Sequence, residues 1–239
     1  DFLGTCLDQI INNASKMRYM FGGKARVPVT ILTRTGAGTG SAAQHSGSPY
    51  SVFTHFPGLK VVAASDAYTA KGLMLAAIRD DDPVIVCDHK RLLPLRGPCP
   101  EEDYVLEIGK SLVRRPGRDV TLVGISMMTG VCLQAAEALA KEGIDAEVVD
   151  LLSLSPLDED TILTSLAKTK HLVIVDEDHP RCGVARDIAG MVVDKGFDYL
   201  DGPVKCVTAP HAPVPFSRVL ETAYIPDAAR VIAAVRSIL

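Results

Sequence analysis

The sequence predicts an α/β fold in which mostly parallel sheets are covered by helices on both faces. Three observations predict it. Short β-branched runs alternate with longer alanine- and leucine-rich stretches, which is the pattern of strands joined by right-handed helical crossovers. The alternation is plain from Gly109 onward and recurs, less completely, before it. Between the two series, Leu93 to Asp103 (LPLRGPCPEED) concentrates proline, glycine and charge as linkers do.

Taken in order, Leu7 to Met20 reads as a helix, Val29 to Thr33 as a strand, Leu59 to Ala63 as a second strand, Tyr68 to Ile78 as a helix and Val84 to Cys87 as a strand. A doubly wound unit seldom begins on a helix with no strand before it to pack against. The first unit, residues 1–92, is therefore expected to lack its N-terminal part, followed by a linker at 93–108 and a complete second unit at 109–239. In the second unit Val120 to Val123 is a strand and Leu133 to Glu142 a helix closed by Gly143. Ala146 to Leu151 follows as a strand, then Pro156 to Leu166 as a helix with acidic residues in its first turns. His171 to Asp176, Arg181 to Lys195, Val204 to Thr208 and Pro226 to Leu239 continue the alternation as strand, helix, strand and helix.

Composition excludes several functions. With 47% hydrophobic residues and a mean hydropathy of +0.19 the chain has the material for a large core, and disorder is excluded. Its longest apolar runs fall well short of a bilayer span, and no basic segment precedes an apolar one at the start, so no membrane span or targeting signal is expected. A net charge of −4 with scattered lysines and arginines carries no footprint for nucleic acid. The six cysteines lie far apart, which suits free thiols in a reducing cytoplasm better than a zinc site or a disulfide framework.

Candidate chemistry is confined to a few segments. Gly36-Ala37-Gly38-Thr39-Gly40 follows a strand, but the glycine spacing does not match a dinucleotide fingerprint, and a mobile loop at a strand's C-terminal end is the plainer reading. Within that loop His45 lies among small residues, where an imidazole serves as an acid/base group or oxyanion stabiliser, or simply as a surface histidine. His55, His89, His171, His179 and His211 lack metal-ligand spacing and read as structural. Asp80-Asp81-Asp82 ends a helix, where free carbonyl oxygens and a carboxylate could hold a hard cation, although a solvated acidic turn is the ordinary outcome. Gly124-Ile125-Ser126-Met127-Met128 lacks the second glycine of a nucleophile elbow. With no activated nucleophile in view, a cofactor is expected to carry the difficult chemistry.

Asp8-Gln9-Ile10, Tyr19 to Gly23, Gln44-His45-Ser46, Pro57 to Val62, Ala77 to Asp80, Leu154 to Asp158, Val173 to Glu177 and Val207 to Phe216 follow one another in an order and spacing that resembles a known family. It is the beta subunit of the E1 component of thiamine-diphosphate-dependent 2-oxo acid dehydrogenases, and the likeness spans nearly the whole chain. Tyr19 to Lys24 and Asp80 to Ile85 are most similar to the acetoin dehydrogenase branch.

The resemblance implies a transketolase-like pyrimidine-binding domain, here incomplete, followed by a transketolase C-terminal domain. It implies a heterotetramer of two alpha and two beta chains, with thiamine diphosphate shared between them and magnesium held by the E1 alpha subunit. It implies an acyl fragment passed from a small-molecule substrate to a lipoylated E2 acyltransferase. By the same resemblance Phe2 contacts the aminopyrimidine, His45 lines the route of substrate and lipoyl arm, and Val29, Ala77, Asp80 and Asp82 form a monovalent-cation loop suited to potassium. The glutamate that activates the aminopyrimidine belongs upstream of Asp1, and Leu93-Pro94 departs from the aromatic usual in the family. Acetoin is the expected substrate. The alternatives are pyruvate, a branched-chain 2-oxo acid, or a diverged non-catalytic subunit of the same fold; a homomeric transketolase-like enzyme would require a diphosphate-binding domain on this chain.

Overall fold

The β-branched runs become strands, those in the middle of the sheets buried on both faces, and in this computed structural model, which describes residues 1–239, they assemble into two sheets. The chain enters through a 3-10 turn at Phe2–Cys6 and a π-helical stretch at Gln9–Ala14 that runs on into α1 (Ser15–Met20). The first unit continues with β1 (Thr30–Thr35), α2 (Tyr50–Thr54), β2 (Lys60–Ala63), α3 (Ala67–Ile78) and β3 (Val84–His89). The second contains β4 (Leu112–Arg115), β5 (Val120–Ile125), α4 (Met127–Ala140), β6 (Ala146–Leu151), β7 (Ser153–Ser155) and α5 (Glu159–Thr169). It closes with β8 (Leu172–Asp176), α6 (Val184–Lys195), β9 (Lys205–Thr208), α7 (Arg218–Tyr224) and α8 (Ala228–Arg236).

Helix starts follow the local chemistry. Asp66 caps α3 by accepting the Thr69 N–H at 2.8 Å, while the Thr69 hydroxyl accepts the Asp66 N–H at 3.0 Å, a reciprocal capping box. Asp158 and Asp227 cap α5 and α8 in the same sense, with Oδ1 accepting from Thr161 N–H and Arg230 N–H. Each cap satisfies one of the donors a helix leaves free at its start.

The first sheet has the order β1-β3-β2-β7 and the second β4-β6-β5-β8-β9. β1, β3 and β2 run parallel, as do β6, β5, β8 and β9, and each sheet ends on one antiparallel edge strand, β7 or β4. β7 belongs by sequence to the second unit but pairs with β2 of the first, Val62 opposite Ser153 and Val61 opposite Ser155. The period-2 alternation of strands then sorts the core. Val120 and Leu122 of β5 face α4 and α8, whereas Val123 and Ile125 join α5, α6 and the Val61, Ala63, Ile85 and Cys87 face of the first sheet. One apolar cluster therefore runs through both units. Parallel strands present their C-terminal ends together, so the segments after β1, β3 and β8 meet at one edge. No helix is long and apolar enough to cross a membrane.

Candidate functional site

At that edge β1 gives way to the glycine loop. The loop is closed at its base by the Gly36 N–H donating to the Gly47 carbonyl at 2.9 Å. Gly36 has φ +91°, and a Cβ there would lie 1.9 Å from Nε2 of His89, the last residue of β3. Only glycine allows the strand end and the imidazole to approach so closely.

His89 is buried, and its Nδ1 accepts the Arg91 N–H at 3.1 Å. Nε2 therefore carries the ring hydrogen and donates it to Glu177 Oε2 at 2.9 Å. Glu177, from the segment directly after β8, also accepts the Ala37 N–H through Oε1 at 2.6 Å. Glu221 of α7 accepts the Gly38 N–H at 2.7 Å and the Gly40 N–H at 3.0 and 3.2 Å. Neither carboxylate has a lysine or arginine ion-pair partner, although they are only 5% and 3% exposed.

Beyond Gly40 the loop passes through a short 3-10 turn, Ala43–His45, that delivers His45 to the surface. Its ring faces Phe2 at 5.3 Å between centroids with a 57° tilt. Phe2 is 59% exposed, and the pair shares an open depression with Leu32, Arg34, Ser41 and Lys90. Lys90 Nζ donates to the His45 and Gly36 carbonyls and to the Asp1 carboxylate, whose Oδ1 also accepts the Gly47 N–H at 2.8 Å. Burial lowers the pKa of this lysine below the ordinary range, against the pull of Glu177 and Glu221.

A second acidic group seals the junction between the units. Tyr50 of α2 donates its hydroxyl to Asp176 Oδ1 at the end of β8, and Ser51 donates to Asp178 Oδ2 at 2.6 Å. Asp176 is fully buried, and Oδ2 has no hydrogen-bond partner. Burial first, and then the nearby Asp178 charge, pushes its carboxyl up to about 7. The Tyr50 phenol is raised well above its usual range by burial and these carboxylates.

The four residues read as a cation loop gather at the opposite edge, where β1, β2 and β3 begin. The Ala77 carbonyl accepts from Thr30 Oγ1 at 3.0 Å, and the Val29 carbonyl accepts the Val84 N–H at 3.0 Å. Lys60 Nζ lies 2.7 Å from both Asp80 oxygens and 3.5 Å from Asp82, and Arg18 pairs with Asp82 at 2.8 Å. Two internal cations thus already neutralise these carboxylates. The structure brings Phe2 and His45 together and Val29, Ala77, Asp80 and Asp82 together, but at opposite edges of the sheet. His55 packs edge-on against Phe56 at 5.3 Å, a packing role. No group of three or more His, Cys, Asp or Glu side chains is arranged to hold a metal ion.

The sequence marks His89 only as a structural histidine and does not single out Lys90, Glu177 or Glu221 as site residues. The signal for the two glutamates lies in the loop itself. Alternating glycines turn several N–H groups toward one side, and such a concavity needs an anion. What no local pattern supplies is the donor of that anion, here 140 and 183 residues further along the chain.

Comparison with known proteins bears on the whole of this arrangement. Residues 1–96 match the transketolase pyrimidine binding domain and residues 109–231 the transketolase C-terminal domain. The chain is 53% identical over 239 residues to the acetoin:2,6-dichlorophenolindophenol oxidoreductase subunit beta of Bacillus subtilis (strain 168), covering 100% of this chain and 70% of that protein. The subunit of the same name from Cupriavidus necator is 52% identical over 236 residues, 99% of this chain and 70% of the relative. The mitochondrial pyruvate dehydrogenase E1 component subunit beta of Ascaris suum is 42% identical over 98% of this chain and 66% of its own length. Among solved structures, a split gene transketolase described as an inactive beta4 tetramer superposes with a TM-score of 0.76 at 26% identity, over 98% of this chain and 71% of that one.

Proposed function

The chain belongs to the family of acetoin and pyruvate dehydrogenase E1 beta subunits, built from a transketolase pyrimidine-binding and a transketolase C-terminal domain, and from that premise we propose that it serves a thiamine-diphosphate-dependent acetoin dehydrogenase. The higher identity to the acetoin-oxidising relatives than to the pyruvate dehydrogenase relative, over nearly the same span, carries this reading. The partner is an alpha subunit that holds the cofactor's diphosphate and its magnesium, in a heterotetramer located in the cytoplasm. In the reaction the bond between the carbonyl and carbinol carbons of acetoin breaks. One fragment leaves as aldehyde, and the other is oxidised to an acyl group as the disulfide of the lipoylated E2 acyltransferase is reduced.

Thiamine diphosphate, when bound, supplies the electron sink for that cleavage. The residues present fit its flat ring system: Phe2 offers an exposed aromatic face in the open depression beside His45, with polar groups around it. Phe2 would hold the aminopyrimidine. His45, at the mouth of the depression on an exposed turn, would exchange protons with the incoming dithiolane. The experiment is reconstitution of the full-length beta subunit with its cognate alpha subunit and E2, assayed with acetoin and with pyruvate. Acetoin is expected to be turned over preferentially, and the beta subunit alone to be inactive and to bind the cofactor weakly by calorimetry. Preference for pyruvate or a branched-chain 2-oxo acid would move the chain to the other branch of its family. Tight cofactor binding without the alpha subunit would refute the shared site.

Val29, Ala77, Asp80 and Asp82 are proposed to bind potassium, with the first three contributing carbonyl oxygens. The ion has to share the Asp82 carboxylate with Arg18 and Lys60. At ten times its dissociation constant a bound ion stabilises by about 1.4 kcal/mol, roughly 3–6 °C in Tm for a chain of this size. Melting in potassium chloride should therefore exceed melting in choline chloride of equal ionic strength, and Asp82→Ala should abolish the difference. Equal melting temperatures in the two salts would rule the site out.

A further inference from the structure

We propose that Glu177 and Glu221 are positioning residues, by which the C-terminal domain clamps the glycine loop and fixes the placement of His45 against the incoming lipoyl group. The inference rests on the reading of His45 given above. Its physical basis is the direction of the loop's donors. Gly36, Gly38 and Gly40 all have positive φ, from +68° to +97°. The Ala37, Gly38 and Gly40 N–H groups turn to the C-terminal domain, where all three are taken up by the two buried carboxylates. Backbone N–H groups arranged in this way commonly hold an external anion. Here the anions are side chains of the same chain.

The dependence runs in both directions. The Glu221 carboxylate has no other hydrogen-bond or ion-pair partner than the loop, and the Glu177 carboxylate has only His89 besides. Without the carboxylates the three N–H groups lose their acceptors, and a segment rich in glycine regains its alternative conformations. A second line of contacts reaches His45 from the same anchor. Glu177 holds His89, and the next residue, Lys90, donates to the carbonyls of Gly36 and His45. The loop is therefore gripped on one side through its N–H groups and on the other through its carbonyls. His45 lies five residues beyond the last clamped amide, on a turn too short to place itself.

Glu221→Gln and Glu177→Gln in the full-length beta subunit, assembled with its alpha partner, test this. An amide keeps the shape but offers one acceptor oxygen in place of two. Hydrogen exchange at Ala37, Gly38 and Gly40 should accelerate about 10- to 100-fold, with β5, β6 and β8 unchanged. Lipoyl acylation should fall about tenfold at an unaltered KM for the small substrate, because positioning affects the transfer step rather than ground-state binding. Glu142→Gln, at a surface pair with Arg236, should alter neither measurement. Wild-type exchange in the loop would overturn the proposal, as would acceleration spread evenly over both domains, or full acylation despite a loosened loop. Should Glu177→Gln fail to assemble, Glu221→Gln carries the test, since its carboxylate hydrogen-bonds to the loop alone. A wild-type complex that acylates no lipoyl group would refute the functional reading instead, with the exchange result still deciding whether the clamp exists.

Discussion

Replacing His45 by alanine in the reconstituted complex is expected to depress lipoyl acylation by about 10²- to 10⁴-fold, the range for loss of a general acid or base. Exchange of the thiazolium C2 proton should continue at the wild-type rate. The two assays separate because of position. His45 is exposed on a turn at the rim of the depression, next to a ring that is itself more than half open to solvent. A group placed there can deliver a proton to a dithiolane arriving from outside, whereas under the proposed function activation of the cofactor would rest on the aminopyrimidine and the glutamate that the family resemblance implies. Folding should be unaffected, since the imidazole makes no hydrogen bond and its backbone carbonyl keeps its bond to Lys90. Equal loss in both assays would place His45 in cofactor activation, and no loss in either would make it a surface histidine.

Asp176→Asn is expected to alter the pH dependence of stability. A carboxyl that titrates near 3.8 when exposed titrates at about 7 in the folded chain, because it is buried beside Asp178 and its Oδ2 has no partner. Between these two values the folded state holds a proton that the unfolded state has released. Stability from this group is therefore largest at the acid end, is lost as pH rises through the window, and levels off above about 7. A shift of this size corresponds to roughly 4 kcal/mol, an upper figure given the neighbouring charges of Asp178 and Glu177. Asparagine keeps the oxygen that accepts from Tyr50 and Asp178 N–H and carries no charge at any pH. The Tm of Asp176→Asn minus that of wild type should thus grow by several degrees from pH 5 to pH 8. Asp150, buried and pushed up to about 6, acts in the same direction, but it is common to both proteins and cancels in the difference. A constant difference across the range would show that Asp176 is not the group that holds the proton.

These two sites differ in how far the sequence revealed them. His45 was legible as a candidate because a histidine among glycines and serines, after a strand, has few structural duties. Asp176 was legible only as the last residue of a strand, since its raised pKa comes first from burial at a junction whose facing residue, Tyr50, lies 126 residues away in the chain. The same division holds for the fold. Ala146 to Leu151 forms a strand with the expected limits, and the helices begun by Asp66, Asp158 and Asp227 carry their caps in the sequence. By contrast α4 begins at Met127 rather than Leu133, because Met128, Val131 and Cys132 are buried against the second sheet and packing extends the helix past its locally favourable part. α2 and α7 are too short to show a helical period. β4 and β7 are brief antiparallel edges whose identity rests on the strands they join, so nothing in LVRR or SLS alone marks them.

The membership of β7 in the first sheet bears on how the chain is made. As it leaves the ribosome, residues 1–108 can form β1, β2, β3 and α3, but one edge of β2 stays open until Ser153 to Ser155 has been synthesised. The N-terminal half thus emerges with an unpaired strand available to any other nascent copy. For the same reason a protease nick in the proline-rich connection should not release two soluble halves, because the downstream fragment still supplies a strand to the upstream one.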